Sequence, residues 1–341
     1  MKIVFFSVIA GCFGMSLAWG AADAQTRGDK AAQPMLLVVN QNDHDLSLVD
    51  LAAGKQIATV PTEGPNGHGH EVAVSPDGKT AFVPIYSNVG VGKSGTNGTT
   101  IEVIDLPTRK IIHTIDFGHG VRPHCAIYDR NSGMLYVTTE LDKTISIIDP
   151  KTLKIVGSVP TGQEQSHMLA LSRDGSRGYT ANVGPGTVSV LDMKARKTLA
   201  IIPISTDTQR IAVSRDDSMV FTADQTKPQL AVIDTLTNKV KTWVPLPAVG
   251  YGTAPTLDGR WLLVALRTNK QVAVVDLKTM QVARTIDVPD GPAEIVMTPD
   301  GKKAYVACNY TKQVAEIDLE QWKVSRLIEA GAFADGLAWA Q

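Results

Sequence analysis

The sequence predicts an all-β protein, a single seven-bladed β-propeller made of four-stranded blades. Two regular patterns in the 341 residues lead to this prediction. A short apolar run that ends in aspartate recurs seven times, and a hairpin turn recurs at the same interval. A fixed period in the low forties is typical of repeat architectures, in which each repeat is one supersecondary unit.

The aspartate motif sets the period. The runs read LSLVD, IEVID, ISIID, VSVLD, LAVID, VAVVD and VAEID, and successive aspartates are 55, 44, 43, 42, 42 and 42 residues apart. Because an aspartate side chain can accept hydrogen bonds from the amides of the turn that follows it, we interpret this residue as structural in every repeat. The seven positions are Asp50, Asp105, Asp149, Asp192, Asp234, Asp276 and Asp318.

A second turn marker has the same spacing. The turn Ser-Pro-Asp-Gly ends at Gly78, and its counterparts are Gly133, Gly175, Asp217, Gly259 and Gly301. Aspartate and glycine between two apolar runs are typical of a β-hairpin, since glycine tolerates positive φ. The runs themselves are rich in β-branched residues, as strands are. Each repeat is therefore predicted to be four short antiparallel strands.

The two ends of the propeller complement each other. Residues 336–340 read as an innermost strand with no hairpin partner after it, and residues 35–40 read as a second strand with no innermost strand before it. We expect the two to pair in one composite blade, closing the ring as one strand plus three.

The chain divides into three predicted parts. Residues 1–24 read as a signal peptide, with Lys2, an apolar stretch and a small-x-small site at residues 22–24. Residues 25–34 read as a flexible tail, and residues 35–341 as the propeller. The protein is therefore expected in the periplasm or outside the cell. No membrane span is expected, because the apolar stretch is short for a spanning helix.

Charge and cysteine content narrow the choice of partners. The net charge of −1 favours neither nucleic acid nor an anionic membrane. Cys125 and Cys308 lie in distant repeats, so two free, buried thiols are expected. We expect a monomer.

Several segments resemble a known family. Residues 136–140 (YVTTE), residues 304–309 (AYVACN) and the repeated VID and SPDG elements are similar to the YVTN-type, YncE-like seven-bladed propellers. The resemblance implies the fold and a secreted or surface-exposed bacterial protein. It implies no catalytic residue, because propellers support many activities.

The repeat also predicts which residues meet at one end of the central channel. One position near the start of each innermost strand recurs with the period and is occupied by His70, His124, His167, Gln209, Tyr251, Ala293 and Asp335. Because the first two strands of a blade form a hairpin, Tyr86 is expected beside His70 and Glu140 beside His124. Six of the seven histidines fall on this face of the ring. The face is therefore the predicted functional one.

Imidazoles with one carboxylate are suitable ligands for a transition metal. The candidate metal ligands are His70, His124 and His167, for Zn, Cu, Mg or Ca. Glu140 and Tyr86 are the candidate catalytic residues, as proton carrier and proton donor. Two alternatives stay open: a metal-free pocket in which the histidines form hydrogen bonds, and simple polar lining of a channel.

Four further residues are candidates for ligand binding: Arg122, Gln209, Tyr251 and Arg267. An arginine can pair with an anionic group, although Arg122, Arg210 and Arg267 could equally form salt bridges between blades. The Gly- and Asn-rich insertion at residues 87–99 is expected to form a flexible wall or lid.

Three functions fit these features. The first is an exported propeller that binds a small polar ligand, either directly or through a divalent metal. The second is a metal-dependent lyase or ring-opening hydrolase, and the third is a copper oxidoreductase, both using the same pocket. No phosphate-binding glycine loop, Gly-x-Ser-x-Gly motif or Cys-x-x-Cys-His site is present, which argues against nucleotide use, common serine hydrolases and covalent heme.

Overall fold

The computed structural model describes residues 1–2, 34–62 and 67–340. Nearly all of the predicted signal peptide and of the predicted tail lies outside the described residues. Blade 1 contains strands from both ends of the chain, namely β1 (Met35–Asn40), β2 (Asp45–Asp50), β3 (Lys55–Pro61) and the final strand β29 (Ala334–Ala340). Blade 2 consists of β4 (His68–Gly69), β5 (Ala73–Val74), β6 (Thr80–Ser87), β7 (Asn97–Asp105) and β8 (Lys110–Asp116).

The next five blades each have four strands. Blade 3 consists of β9 (Pro123–Asp129), β10 (Met134–Thr139), β11 (Thr144–Asp149) and β12 (Lys154–Pro160). Blade 4 consists of β13 (Ser166–Leu171), β14 (Arg177–Asn182), β15 (Thr187–Asp192) and β16 (Lys197–Pro203). Blade 5 consists of β17 (Thr208–Val213), β18 (Met219–Asp224), β19 (Gln229–Asp234) and β20 (Lys239–Pro245).

The last two blades follow the same plan. Blade 6 consists of β21 (Thr253–Pro255), β22 (Trp261–Leu266), β23 (Gln271–Asp276) and β24 (Gln281–Asp287). Blade 7 consists of β25 (Pro292–Met297), β26 (Lys303–Cys308), β27 (Gln313–Asp318) and β28 (Lys323–Glu329). Within the described residues these strands form seven antiparallel sheets, so the predicted fold class is confirmed.

The innermost strands form the wall of the channel. Each packs against the innermost strand of the next blade, and β29 packs against both β25 and β5. In blade 1, β29 pairs with β1, with Leu37 opposite Ala338. The two ends of the chain thus share one sheet.

The blades are held together by apolar side chains from both faces of the two middle strands. In β11, for example, Ile145 and Ile147 are buried on one side and Ile148 on the other. The outermost strands are largely exposed on one side, as in β12. Cys125 and Cys308 are free and buried, as expected. Among the described residues, none forms a helix of the length and apolar character needed to cross a membrane.

The recurring aspartates are turn residues, as interpreted from the sequence. The Asp50 carboxylate accepts a hydrogen bond from the Ala53 amide at 2.9 Å, and Asp192 accepts one from Ala195 at 2.7 Å. The other five aspartates bond to main-chain amides two or three residues later in the same way. These carboxylates are therefore used in building the turns.

Candidate functional site

β-bulges direct the ring residues into the channel. Where β13 pairs with β14, Ser166 lies opposite Asn182 and Met168 opposite Ala181, so His167 has no partner in the ladder. Where β9 pairs with β10, two residues, His124 and Cys125, occupy the space of one. In blade 2 the innermost strand is interrupted altogether between β4 and β5, at residues 70–72. A bulge or break bends the strand and re-aims a side chain, which is how these three blades present their histidines to the channel.

The ring residues border a cavity of about 410 Å³, which we call the histidine cavity. Six of the seven predicted ring positions line it, and Ala293 does not. The cavity size is in the range of small-molecule sites. Its ring residues are His70, His124, His167, Gln209, Tyr251 and Asp335.

The histidine rings are packed against one another. The ring centroids of His68 and His70 are 5.0 Å apart, those of His70 and His124 are 5.0 Å apart, and those of His124 and His167 are 3.5 Å apart. His44 continues the series at 5.5 Å from His68. Tyr86 lies at 4.8 Å from His70, as predicted, and touches the next two rings as well. Tyr86 and the three predicted histidines are therefore neighbours, as expected from the sequence.

Glu140 has a different partner from the one predicted. Its Oε1 lies 2.5 Å from Nδ1 of His167, on the next blade, and its Oε2 accepts a hydrogen bond from the Tyr86 hydroxyl at 2.8 Å. The expected neighbour was His124. Because a carboxylate only accepts hydrogen bonds, Nδ1 of His167 carries a proton, and in the corresponding neutral tautomer Nε2 has the lone pair. Glu140 thus sets the tautomer of His167.

His70 is oriented from the opposite side. Its Nδ1 lies 3.0 Å from Nε2 of Gln41, and the same amide nitrogen donates a hydrogen bond to Oδ2 of Asp335. Nε2 of His70 and Nδ1 of His124 are both buried and have no hydrogen-bond partner in the described part of the chain. Such atoms are costly, and in native proteins they call for a ligand or water.

Burial keeps His70 and His124 neutral. It lowers the pKa of His70 well below its usual value, and the neighbouring His68, His167 and Arg210 lower it further. Burial likewise lowers the pKa of His124, followed by the effects of His167 and His70. Neutral imidazoles are the form that coordinates metals and accepts hydrogen bonds.

The predicted divalent-metal site is not supported. No group of three or more His, Cys, Asp or Glu in the described ranges is placed to hold a metal ion. Nδ1 of His70 accepts a hydrogen bond from Gln41 and Nδ1 of His167 is bonded to Glu140, so each of these two rings has only Nε2 left for a ligand.

Arg122 has a structural role that the sequence left open. Its Nε donates to Asn97 at 2.7 Å and its NH2 group donates to the Lys93 carbonyl at 2.7 Å. Both partners belong to the predicted insertion, and three residues of that insertion, Gly90, Val91 and Lys93, line the histidine cavity. Arg122 therefore fastens the loop that walls the cavity, and its guanidinium is occupied by that loop.

Arg267 and Tyr251 also line the histidine cavity. The Arg267 guanidinium lies 4.4 Å from the Tyr251 ring centroid and donates to Asn309 at 2.9 Å. Its hydrogen bonds go to neutral groups, so its charge can act on a ligand. Both residues also line an adjoining cavity of about 420 Å³. Gln209 lies beside Asp207, whose Oδ1 is buried and unpaired in the described residues and whose pKa is raised by burial.

A second layer of charged residues lies behind the ring; the sequence suggested that Arg210 could form salt bridges between blades but did not identify its carboxylate partners. Arg210 bonds to Glu71 at 2.5 Å, to Glu294 at 2.5 Å and to Asp335 at 2.9 Å. Burial raises the pKa of Glu71 and of Glu294, against the lowering effect of Arg210. The signal was available: Glu71, Arg210 and Glu294 each directly follow a ring position. We call these three residues with Asp335 the Arg210 cluster.

Two family models match parts of the chain. The family described as YncE-like beta-propeller matches residues 247–340, and the family described as cytochrome D1 heme domain matches residues 130–257. The second match includes Glu140, His167 and Gln209. No curated protein matches the chain.

Solved structures have the same fold. A chain of Kuenenia stuttgartiensis hydrazine synthase is 19% identical, with a TM-score of 0.70 over 83% of this chain and 92% of its own length. Dihydro-heme d1 dehydrogenase NirN, solved in complex with DHE, is 13% identical, with a TM-score of 0.63 over 89% of this chain and 74% of its own. At these identities the likeness shows the fold alone. Seven blades and the family match together confirm the predicted resemblance: the chain is a seven-bladed β-propeller similar to the YncE-like propellers.

Proposed function

We propose that this propeller binds a tetrapyrrole, a heme-like ligand with several carboxylates, in the histidine cavity. The observation that carries the proposal is the hydrogen bond from Nδ1 of His167 to Glu140 at 2.5 Å, on a histidine that lines the cavity. Histidines that bind metals usually donate their other ring N–H to a carboxylate or carbonyl, which raises the basicity of the coordinating nitrogen. Nε2 of His167 would thus be suited to bind the iron of a heme-like ligand.

The other walls of the cavity fit the same kind of ligand. Tyr251 and Phe333 supply aromatic surface for a macrocycle, and Lys93 and Arg267 supply positive charge for its carboxylates. The adjoining cavity beside Tyr251 and Arg267 extends the available space. The match to the cytochrome D1 heme domain over residues 130–257, and the heme d1 named for the NirN enzyme, point to the same ligand class.

The roles of the residues follow from their contacts. His167 would hold the iron, Glu140 would keep the proton on Nδ1 of His167, and Tyr86 would hold Glu140 in place through its hydroxyl. The insertion fastened by Arg122 would exclude water from one side of the cavity. A bound iron tetrapyrrole would supply redox chemistry or serve as cargo. In place of the divalent metal predicted from the sequence, the site would hold an iron that is bound by its macrocycle and by the His167 imidazole.

The binding test uses iron(III) coproporphyrin III, which carries four propionates, and follows its Soret absorbance during titration. We expect saturable binding at one per chain in the wild type and a loss of the histidine-ligated spectrum in His167→Ala. His119→Ala is the matched control, because His119 is exposed on the same face and bonds Asp142. Absence of wild-type binding, or equal spectra for all three proteins, would refute the proposal.

We also propose that the protein is exported, on the basis of the sequence of residues 1–24. Fractionation of cells that express the full chain tests this point. The protein is expected in the periplasm or medium with a new N-terminus near Gln25. Recovery of the uncleaved chain in the cytoplasm would contradict it.

A further inference from the structure

A chain of hydrogen bonds fixes His70 from inside the protein. The Arg210 guanidinium donates to Oδ1 of Asp335 at 2.9 Å, and Gln41 donates to Oδ2 of the same carboxylate. An ionised carboxylate accepts and never donates, so Gln41 must direct its amide nitrogen toward Asp335. The second hydrogen of that nitrogen is then available to Nδ1 of His70, 3.0 Å away.

This chain decides which nitrogen of His70 bears the proton. Nδ1 accepts the hydrogen bond from Gln41, and burial lowers the pKa of the ring, so the neutral ring carries its proton on Nε2. Nε2 is buried and has no partner in the described residues, and His70 lines the histidine cavity. The protein therefore holds an unsatisfied hydrogen-bond donor at the cavity wall.

We propose that Nε2–H of His70 donates a hydrogen bond to an anionic oxygen of the bound ligand, making His70 a specificity residue for a ligand carboxylate. Such a bond is stronger than one to a neutral acceptor. The inference rests on the proposed function for the identity of the ligand. The tautomer itself is a property of the protein without ligand.

The positively charged side chains that line the cavity also favour a ligand carboxylate. Lys93 and Arg267 line the same cavity as His70, and the carboxylate of Asp335 is already bonded to Arg210 and Gln41. An unpaired imidazole N–H that lines the same cavity as two cations favours an acceptor with negative charge. A neutral acceptor or a water molecule would gain much less from these groups.

Nitrogen NMR of the histidine rings in the ligand-free protein tests the first half of the inference. We expect His70 in the wild type as the Nε2–H tautomer at pH 7.5. In Gln41→Leu, where the donor to Nδ1 is lost, the two tautomers should mix. Observation of the Nδ1–H tautomer or of a charged ring in the wild type would overturn the inference, with no ligand involved.

Binding measurements test the second half. Iron coproporphyrin III and its tetraamide, which lacks the negative charges, are titrated into the wild type, His70→Phe and His70→Gln. We expect His70→Phe to weaken binding of the acid about 10-fold and of the tetraamide less than about 3-fold. His70→Gln, which keeps an N–H near the position of Nε2, should recover most of the affinity, and His70→Asn should not.

The outcomes separate the two proposals. Failure of the wild type to bind either compound would overturn the proposed function and this inference with it. Binding of both compounds with equal effects of His70→Phe would overturn the inference alone, and would indicate that water satisfies Nε2. If His70→Phe does not fold, as judged by its melting curve, the contrast between His70→Gln and His70→Asn decides in the same way.

Discussion

The ring of residues that lines the histidine cavity and the Arg210 cluster behind it differ in how far their buried polar groups are paired. In the Arg210 cluster, the terminal nitrogens of one guanidinium bind three carboxylates, although its Nε has no partner in the described residues. In the ring, buried nitrogens of His70 and His124 are left without partners. A protein retains such costly atoms where a ligand completes them. The contrast supports our proposal that the Arg210 cluster is the support and the ring is the binding surface.

The largest effect is expected from removal of the central cation. Arg210→Met leaves Glu71, Glu294 and Asp335 facing one another without a counter-ion. We expect a loss of about 3–5 kcal/mol in the free energy of unfolding at pH 7, measured with denaturant. Part of the loss should return at lower pH, where the carboxylates bind protons. Arg267→Met, whose hydrogen bonds go to neutral groups, is the control and should lose less than about 1 kcal/mol. Similar losses for both variants would break the contrast.

Loss of the carboxylate behind His167 should affect binding more than folding. Glu140→Gln keeps the shape and can still accept a hydrogen bond, but it no longer favours a proton on Nδ1 as strongly. We expect iron coproporphyrin III to bind about 10- to 100-fold more weakly, as is usual when such a partner is changed. Glu164→Gln, which breaks an exposed ion pair with Lys143, should bind like the wild type. An unchanged affinity in Glu140→Gln would remove His167 from the site.

Acid should lower the stability of the folded protein through the buried histidines of the cavity. The pKa of His124 is well below 6.5 in the folded protein because of burial, whereas the unfolded chain has the ordinary value. Below about pH 6.5 the unfolded state therefore binds more protons, and stability falls with pH. Between pH 7 and pH 5, His124→Gln should lose about 2 kcal/mol less than the wild type.

Comparing the wild type with His124→Gln isolates the contribution of His124 to the pH dependence of stability. Burial raises the pKa of Glu71 and Glu294, so each of these carboxyls works in the opposite direction and favours the folded state as pH falls. Their contribution is common to the wild type and the variant. Parallel curves of unfolding free energy against pH would show that His124 is charged or exposed in the folded state.

The smallest effect concerns the cysteines. Burial raises the pKa of the Cys125 thiol far above its usual value and that of Cys308 to about 12, so both should be unreactive in the folded protein. With iodoacetamide at pH 8 we expect almost no labelling of a chain that begins at Gln25, and two labels after unfolding. Rapid labelling of Cys125 in the folded protein would show that the layer behind the ring is open to solvent.

The repeat made the fold and the ring predictable. Strands, turns and the recurring aspartates follow from local chemistry that every blade repeats, and one period places His70, His124 and His167 at equivalent positions. What could not be predicted lies at the bulges. A bulge shifts side chains by one residue relative to the partner strand, so the period does not reveal that both His124 and Cys125 stand opposite a single partner.

The repeat period does not give the direction of a side chain, which explains why the partner of Glu140 and the divalent-metal site were not predicted correctly. Glu140 reaches across to His167 on the next blade because the direction of a side chain at a strand end depends on the local bend. The nitrogens of His70 and His167 are turned by Gln41 and Glu140, which no spacing rule encodes. Residue positions were therefore predictable from the sequence, whereas ring tautomers and hydrogen-bond partners required the structure.

A crystal structure of the chain with iron coproporphyrin III is the most direct measurement. We predict the macrocycle in the histidine cavity, its iron bound to Nε2 of His167 and one carboxylate beside Nε2 of His70. An iron ligated by another residue, or a macrocycle bound elsewhere on the propeller while the cavity holds only water, would contradict the proposed function.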